Sequence, residues 1–244
     1  GKEFVDNRNE RGFNELRGYF IDEGGFLSSM DQPAEVSVLE QGPLFVKVAV
    51  KGKIGKYSFT QTIRLTQGEP RIDMSVKLDW IGSPRIGEPG IEFRADNPRK
   101  SFYDDRYKLL VYLPIQIANQ QIYKDAPFDV CESRLENTFF NRWDSIKHNI
   151  ILNWVDVASK DNSCGLSLFT DHTTSYAHGK DFPLALNVQY AGKGLWGRDY
   201  IIDRPTEISY AVFCLERKWE KSRIWTQSER RNEPLVATLD GDAT

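Results

Sequence analysis

The sequence is poor in the residues that define redox or metal centres, with three cysteines and three histidines in 244 residues. Cys131, Cys164 and Cys214 stand far apart and in no CxxC pairing. An odd, unpatterned set argues against both a disulfide framework and a zinc knuckle. Neither sign of charge dominates: 32 Lys and Arg face 35 Asp and Glu, a net charge of −3. The clustered positive charge that phosphate backbones demand is missing, so no nucleic-acid partner is expected. No apolar run approaches the length of a membrane span, and no membrane role is expected. GxGxxG, P-loop and GxSxG patterns are absent, which removes nucleotide binding and elbow-type hydrolases. No segment keeps a helical period beyond about two turns. The chain starts at Gly1 with no signal-like segment, which reads as a piece excised from a larger protein.

What is present is strand periodicity. Residues 71–80 alternate strictly, with Ile72, Met74, Val76, Leu78 and Trp80 on one side and Arg71, Asp73, Ser75, Lys77 and Asp79 on the other. A period of two sends the sets to opposite faces of a pleated strand, one buried and one wet. Gln67-Gly68-Glu69-Pro70 joins it to the β-formers of 57–66 as a long hairpin. Gln41-Gly42-Pro43 joins 36–40 to 44–50 in the same way, and 51–55 links the hairpins into a meander. Further strands are expected at 107–117, 126–132, 149–158, 165–170, 184–190 and 206–214, with an edge or bulge at Pro114. About ten one-sided strands require two sheets packed face to face, an all-β antiparallel sandwich. Three stretches read as irregular: 6–33, with scattered aromatics; 81–106, rich in Pro and Gly; and 228–244, with a frayed tail at 240–244. A loop as long as 81–106 is a place to look for function.

Four constellations bear on chemistry. Asp171-His172-Thr173-Thr174-Ser175-Tyr176 follows directly on the apolar strand 165–169. A polar cluster at a strand exit presents binding groups on a rigid scaffold, and its carboxylate, imidazole and hydroxyls suit sugar hydroxyls. The alternative is a turn whose Asp and Thr cap their own backbone. Trp196, with Tyr190 and Tyr200, frames a Gly-rich segment; it reads either as a ring that stacks on a pyranose or as core packing. His172 and His178 are six apart, a spacing that suits no zinc motif, so no metal site is expected. They read as a proton-transfer pair on a loop or as two solvated side chains. Asp104-Asp105 reads as solvated charge rather than as the carboxyl pair of a glycosidase.

The order of segments resembles the C-terminal region of family 38 α-mannosidases. LEQGPLFVKVAV (39–50), TQTIRLTQGEPRIDMSVKLDW (60–80) and YKLLVYLPI (107–115) carry the likeness first. RWDS (142–145), NWVDVAS (153–159), GLSLFTDH (165–172), PTEISYAVF (205–213) and NEPLVATL (232–239) continue it. The resemblance spans residues 35–239, and the domain is expected to occupy 1–239, truncated at both ends relative to the family. It implies a galactose mutarotase-like supersandwich attached to an upstream catalytic domain that holds the zinc and the aspartate nucleophile of a retaining glycosidase. No catalytic residue, metal ligand or cofactor is then expected in this segment, whose partners are that catalytic domain and an α-mannoside. The loop after GLSLFTD lies where the family lends side chains to the cleft rim, which points to Asp171 and His172, with Thr173, Ser175 and Tyr176 behind them. Some members carry an Arg in this loop, and none stands between Asp171 and Gly179 here.

Two other classes fit the same features. A freestanding carbohydrate-binding module would present an exposed aromatic platform, with Trp196 in it. A mutarotase-like sugar enzyme would bring His148, His172 or His178 against a carboxylate in one cleft.

Overall fold

The computed structural model describes residues 3–90, 104–136, 138, 149–161, 163–194, 198–215 and 219–233. Strands β1 (Glu15–Phe20) and β2 (Gly25–Ser28) precede a meander of β3 (Glu35–Gln41), β4 (Phe45–Ile54), β5 (Tyr57–Thr66) and β6 (Arg71–Asp79). A 3-10 turn at Asp105–Tyr107 leads into β7 (Leu109–Leu113), β8 (Gln120–Ala126) and β9 (Asp129–Ser133). Next come β10 (Ile150–Ile151), β11 (Trp154–Ser159), β12 (Gly165–Thr170), β13 (Thr174–Gly179) and β14 (Phe182–Gln189). The short β15 (Gly192–Lys193) and β16 (Asp199–Tyr200), the long β17 (Thr206–Leu215) and helices α1 (Trp219–Ser222) and α2 (Ile224–Asn232) complete the order.

Among the described residues, β10-β13-β14-β7-β1-β2 make a six-stranded sheet and β3-β4-β5-β6-β17-β12-β11-β8-β9 a nine-stranded one. Pairing is antiparallel throughout. The expected antiparallel sandwich is what the residues build. The main core lies between the sheets. Met74, Val76 and Leu78 of β6 meet Leu109, Val111 and Leu113 of β7, with Leu184 and Leu186 of β14 and Leu166 and Leu168 of β12 around them. A second cluster lies on the other face of the nine-stranded sheet, where Trp154, Phe169, Ala211 and Phe213 pack under Ile224 of α2 and Trp219 of α1.

The expected β5–β6 hairpin forms, with Leu65 opposite Ile72, and Gly68 takes the left-handed φ of 79° that the turn needs. Other boundaries differ from the sequence reading. β4 runs on through 51–54, so the link to β5 is only Gly55-Lys56. The stretch 6–33 is not irregular throughout, since it holds the β1–β2 hairpin. The strand expected at 107–117 begins at Leu109 and stops at Leu113, because Pro114 has no N–H to continue a ladder; it ends the strand rather than bulging it. The run 126–132 is the turn and second arm of the β8–β9 hairpin. The run 149–158 divides between the sheets: β10 pairs with β13, and β11 with β8 and β12. Residues 228–232, part of the stretch expected to be irregular, belong to helix α2, which begins at Ile224. The tail at 240–244 lies outside the described residues.

Candidate functional site

The loop after β12 joins the two sheets, since β12 belongs to the nine-stranded sheet and β13 to the six-stranded one. Asp171, His172 and Thr173 stand exposed at this crossing. His172 Nδ1 lies 2.6 Å from Asp171 Oδ1, so the carboxylate orients the imidazole. Behind the tip the backbone is held tightly. Thr170 Oγ1 donates to the His172 carbonyl at 3.0 Å, and Asn232 Nδ2 of α2 donates to the Thr170 carbonyl at 2.9 Å. A carboxylate acceptor and an imidazole side by side toward solvent form the kind of pair that hydrogen-bonds sugar hydroxyls.

The remaining sequence candidates separate from this tip. The polar loop ends at Thr173, because Thr174 already starts β13. Ser175 and Tyr176 are buried, and the Tyr176 hydroxyl donates to Ser133 Oγ at 2.8 Å. Burial pushes the Tyr176 phenol up to about 12. Trp196 and His148 lie outside the described residues. Tyr190 and Tyr200 pack edge to face, with ring centroids 5.5 Å apart.

His178 is neither solvated nor paired with His172. It is buried, with Nδ1 2.8 Å from the Phe182 carbonyl and Nε2 2.7 Å from the Gln120 side-chain amide. Burial lowers its pKa to about 4, which keeps the ring neutral. It serves as a tie between the sheets, because β13 and β8 belong to different ones.

A cation that the loop itself lacks arrives from another element. Arg231 of α2 donates from Nη2 to Ser209 Oγ at 2.6 Å, and its Nε lies 3.7 Å from Asp73 Oδ1. Burial lowers the Arg231 pKa, and the charges of Asp171 and Asp73 oppose that. Arg231 thus lies within electrostatic reach of Asp171 at the loop tip. Arg231 was missed because α2 has almost no apolar periodicity: its buried residues are Ile224 and Ser228.

A second polar assembly lies on the face of the six-stranded sheet that turns away from the main core. Leu110, Tyr112, Ala177 and Ala185 form a separate apolar patch there, with Phe182 against it. Arg11 lies over the Tyr112 ring and Arg17 over the Phe26 ring, at 5.6 and 5.4 Å. Phe26 stacks on Tyr107 with centroids 5.7 Å apart. An open groove of about 570 Å³, lined by Arg106, Glu136, Lys180, Asp181 and Phe182 among others, runs along this side.

Asp104 and Asp105 anchor this assembly, and both are buried, which corrects the expectation of solvated charge. Their 3-10 turn, unlike a strand, sends neither side chain to solvent. Asp104 caps the turn by accepting from the Arg106 N–H at 3.1 Å, and it takes the Arg106 guanidinium in a fork at 2.6 and 2.9 Å. Asp105 meets Lys108 Nζ at 2.6 Å and accepts from Asn149 Nδ2 at 2.5 Å. Charges of this kind stay buried only when paired, so this knot is architectural. Among the described residues no three His, Cys, Asp or Glu side chains come together to hold a metal, so no set here fits a zinc ion.

The architecture places the chain among antiparallel two-sheet β domains. Its fold matches that of an alpha-mannosidase from Enterococcus faecalis V583 with a TM-score of 0.63 at 11% identity. A protein in the Glycosyl Hydrolase Family 38 from Enterococcus faecalis matches with a TM-score of 0.61, also at 11% identity. The match covers 96% of this chain in both cases, but only 29% and 30% of those chains. At such identities the likeness establishes the fold alone. No curated protein matches the sequence. The family model of the glycosyl hydrolases family 38 C-terminal domain matches residues 19–187. That is more than half of the chain, and the chain belongs to this family.

Proposed function

We propose that this chain is the C-terminal β domain of an enzyme that hydrolyses α-mannosides with retention of configuration. The nucleophile and the zinc then belong to a catalytic domain outside these residues, and the β domain is inactive by itself. It packs on that catalytic domain and completes the rim of its cleft. The family match over residues 19–187 carries this reading. The shared fold with a protein named as an alpha-mannosidase supports α-mannosides as the substrate class.

In this reading Asp171, His172 and Thr173 contact the sugar. Arg231 brings a positive charge toward the loop, Ser175 and Tyr176 hold the strand behind the tip, and Trp196 offers a ring face to a pyranose. The test is hydrolysis of an aryl α-mannoside, with zinc supplied, by the full-length protein and by this chain side by side. Turnover by the full-length protein alone is expected. Turnover by this chain alone would remove the split between catalytic and accessory parts, and silence from both would remove the α-mannoside. Replacing Asp171 with Asn and His172 with Ala in the active full-length enzyme is expected to lower kcat/KM by roughly tenfold each, about the worth of one hydrogen bond to a charged group. Unchanged kinetics would take this loop out of the cleft.

A further inference from the structure

The inner face of the nine-stranded sheet extends past the edge of the six-stranded sheet that covers it. Directly opposed residues in antiparallel strands share a face, so the register traces apolar rows outward from the core. One row runs Met74, Ile63, Val48, Val38 across β6, β5, β4 and β3. Its exposure climbs from 4% at Met74 to 58% at Val38. A parallel row runs from Val76, fully buried, through Gln61 and Val50 to Val36, which is 67% exposed. Leu65, opposite Val46 in the next row, is 48% exposed.

The other face of the same strands is polar, with Ser37, Lys51, Thr62 and Ser75. The sequence therefore commits core-type side chains to a face over which no second layer lies among the described residues. Leaving such side chains in water forgoes the gain of burying them, and contiguous exposed apolar surface marks a contact. The edge strand β3 carries a bulge near Leu39, but neither the Lys nor the Pro that commonly protects a free edge.

We infer that this wing, the inner face of β3, β4 and β5, is the seat on which an apolar helix or sheet face from the rest of the same polypeptide packs. The inference rests on the reading of the chain as one domain of a larger glycoside hydrolase. The occupant follows from length: this fold accounts for only 29% of the Enterococcus faecalis V583 chain that shares it. A domain tethered to the same chain needs little extra area to stay seated, because its effective concentration is high. The rows are also outward continuations of this domain's own core, as an intramolecular contact requires.

The test uses the full-length protein with single cysteines introduced on the two faces of the wing. Val36→Cys and Val38→Cys report the apolar face, and Lys51→Cys, on the opposite face of β4, is the exposed reference. Under native conditions, maleimide labelling at Val36→Cys and Val38→Cys is expected to be at least about tenfold slower than at Lys51→Cys, since a covered site reacts only through local opening. Leu65→Cys serves if a β3 variant fails to fold. Equal rates on the two faces overturn the inference. Protection that disappears on dilution, as the protein passes from dimer to monomer by light scattering, also overturns it and assigns the face to a second copy. Aryl α-mannoside turnover is read separately on the same samples, so loss of the substrate assignment and loss of this interface remain distinguishable.

Discussion

The two halves of the nine-stranded sheet obey different burial rules. In the half made of β11 and β12 every residue is buried. The six-stranded sheet covers its inner face, and α1 and α2 cover its outer face. In the half made of β3 to β6 burial alternates or fails altogether, down to an edge strand with no buried residue. A strand covered on both sides reads as a continuous apolar run, while a strand covered on one side reads as alternation. The difference shows that the sheet is one hydrogen-bonded object with two environments, and that layers above and below it, rather than pairing, set the stability of each part.

That contrast can be broken in order of size. Phe169→Ala, in the doubly covered half, removes a ring packed on Phe213 with centroids 6.2 Å apart. It is expected to cost about 3–5 kcal/mol in urea unfolding.

The doubly covered half also contains a polar exception. Asp156 is fully buried, and its hydrogen bond comes from Ser167 Oγ at 2.8 Å, while Oδ2 has no partner. Burial pushes its carboxyl up to about 7, from 3.8. A raised pKa means that the folded state holds this proton more tightly than the unfolded chain. The contribution is therefore fully present below about pH 4 and is lost as pH rises to about 7. Asp156→Asn is expected to flatten that slope. Near pH 8 it gains about 1–3 kcal/mol, by removing a buried charge that no cation among the described residues pairs, and near pH 4 it changes little. Unfolding curves at the two pH values measure this, and a parallel shift at both would remove Asp156 as the cause.

Smaller again is the lid over this half. Trp219 lies against Trp154 and Trp225, with centroids 6.1 Å away in each case. Trp219→Ala is expected to cost about 1–2 kcal/mol. In the singly covered half, Val38→Ser should stay within about 0.5 kcal/mol in this chain by itself. A large loss there would mean that the wing is already packed against something.

The same contrast accounts for what could be read in advance. The β3–β6 meander was legible because alternation and its Gly-containing turns agree on one answer. β12 was legible as a short apolar run. β1 and β2 were hidden because they are short and Gly18 stands between Leu16 and Phe20 on the buried face, so the alternation shows only two apolar residues. Their strand character depends on cation–ring and ring–ring contacts across the hairpin and with Tyr107. Helix α2 was hidden for the opposite reason, since a helix with two buried residues carries almost no periodic signal. The exposed loop of Asp171, His172 and Thr173 could be picked out from its place at a strand exit. Arg231, 60 positions later in the numbering, could not.

By itself the sequence determined that the chain builds an antiparallel sandwich, where its hairpins turn, and which family it resembles. Those features depend on near neighbours, through a period of two and turn residues with restricted φ. Tertiary structure decided which apolar strands have one covered face and which have two. It also decided that Asp104 and Asp105 go inside with cations while Asp156 goes inside with none among the described residues, and that Arg231 of α2 comes within electrostatic reach of Asp171. These outcomes depend on what lies across a sheet or above it. Burial and charge pairing are set by distance in space, and a residue's position along the chain does not record it.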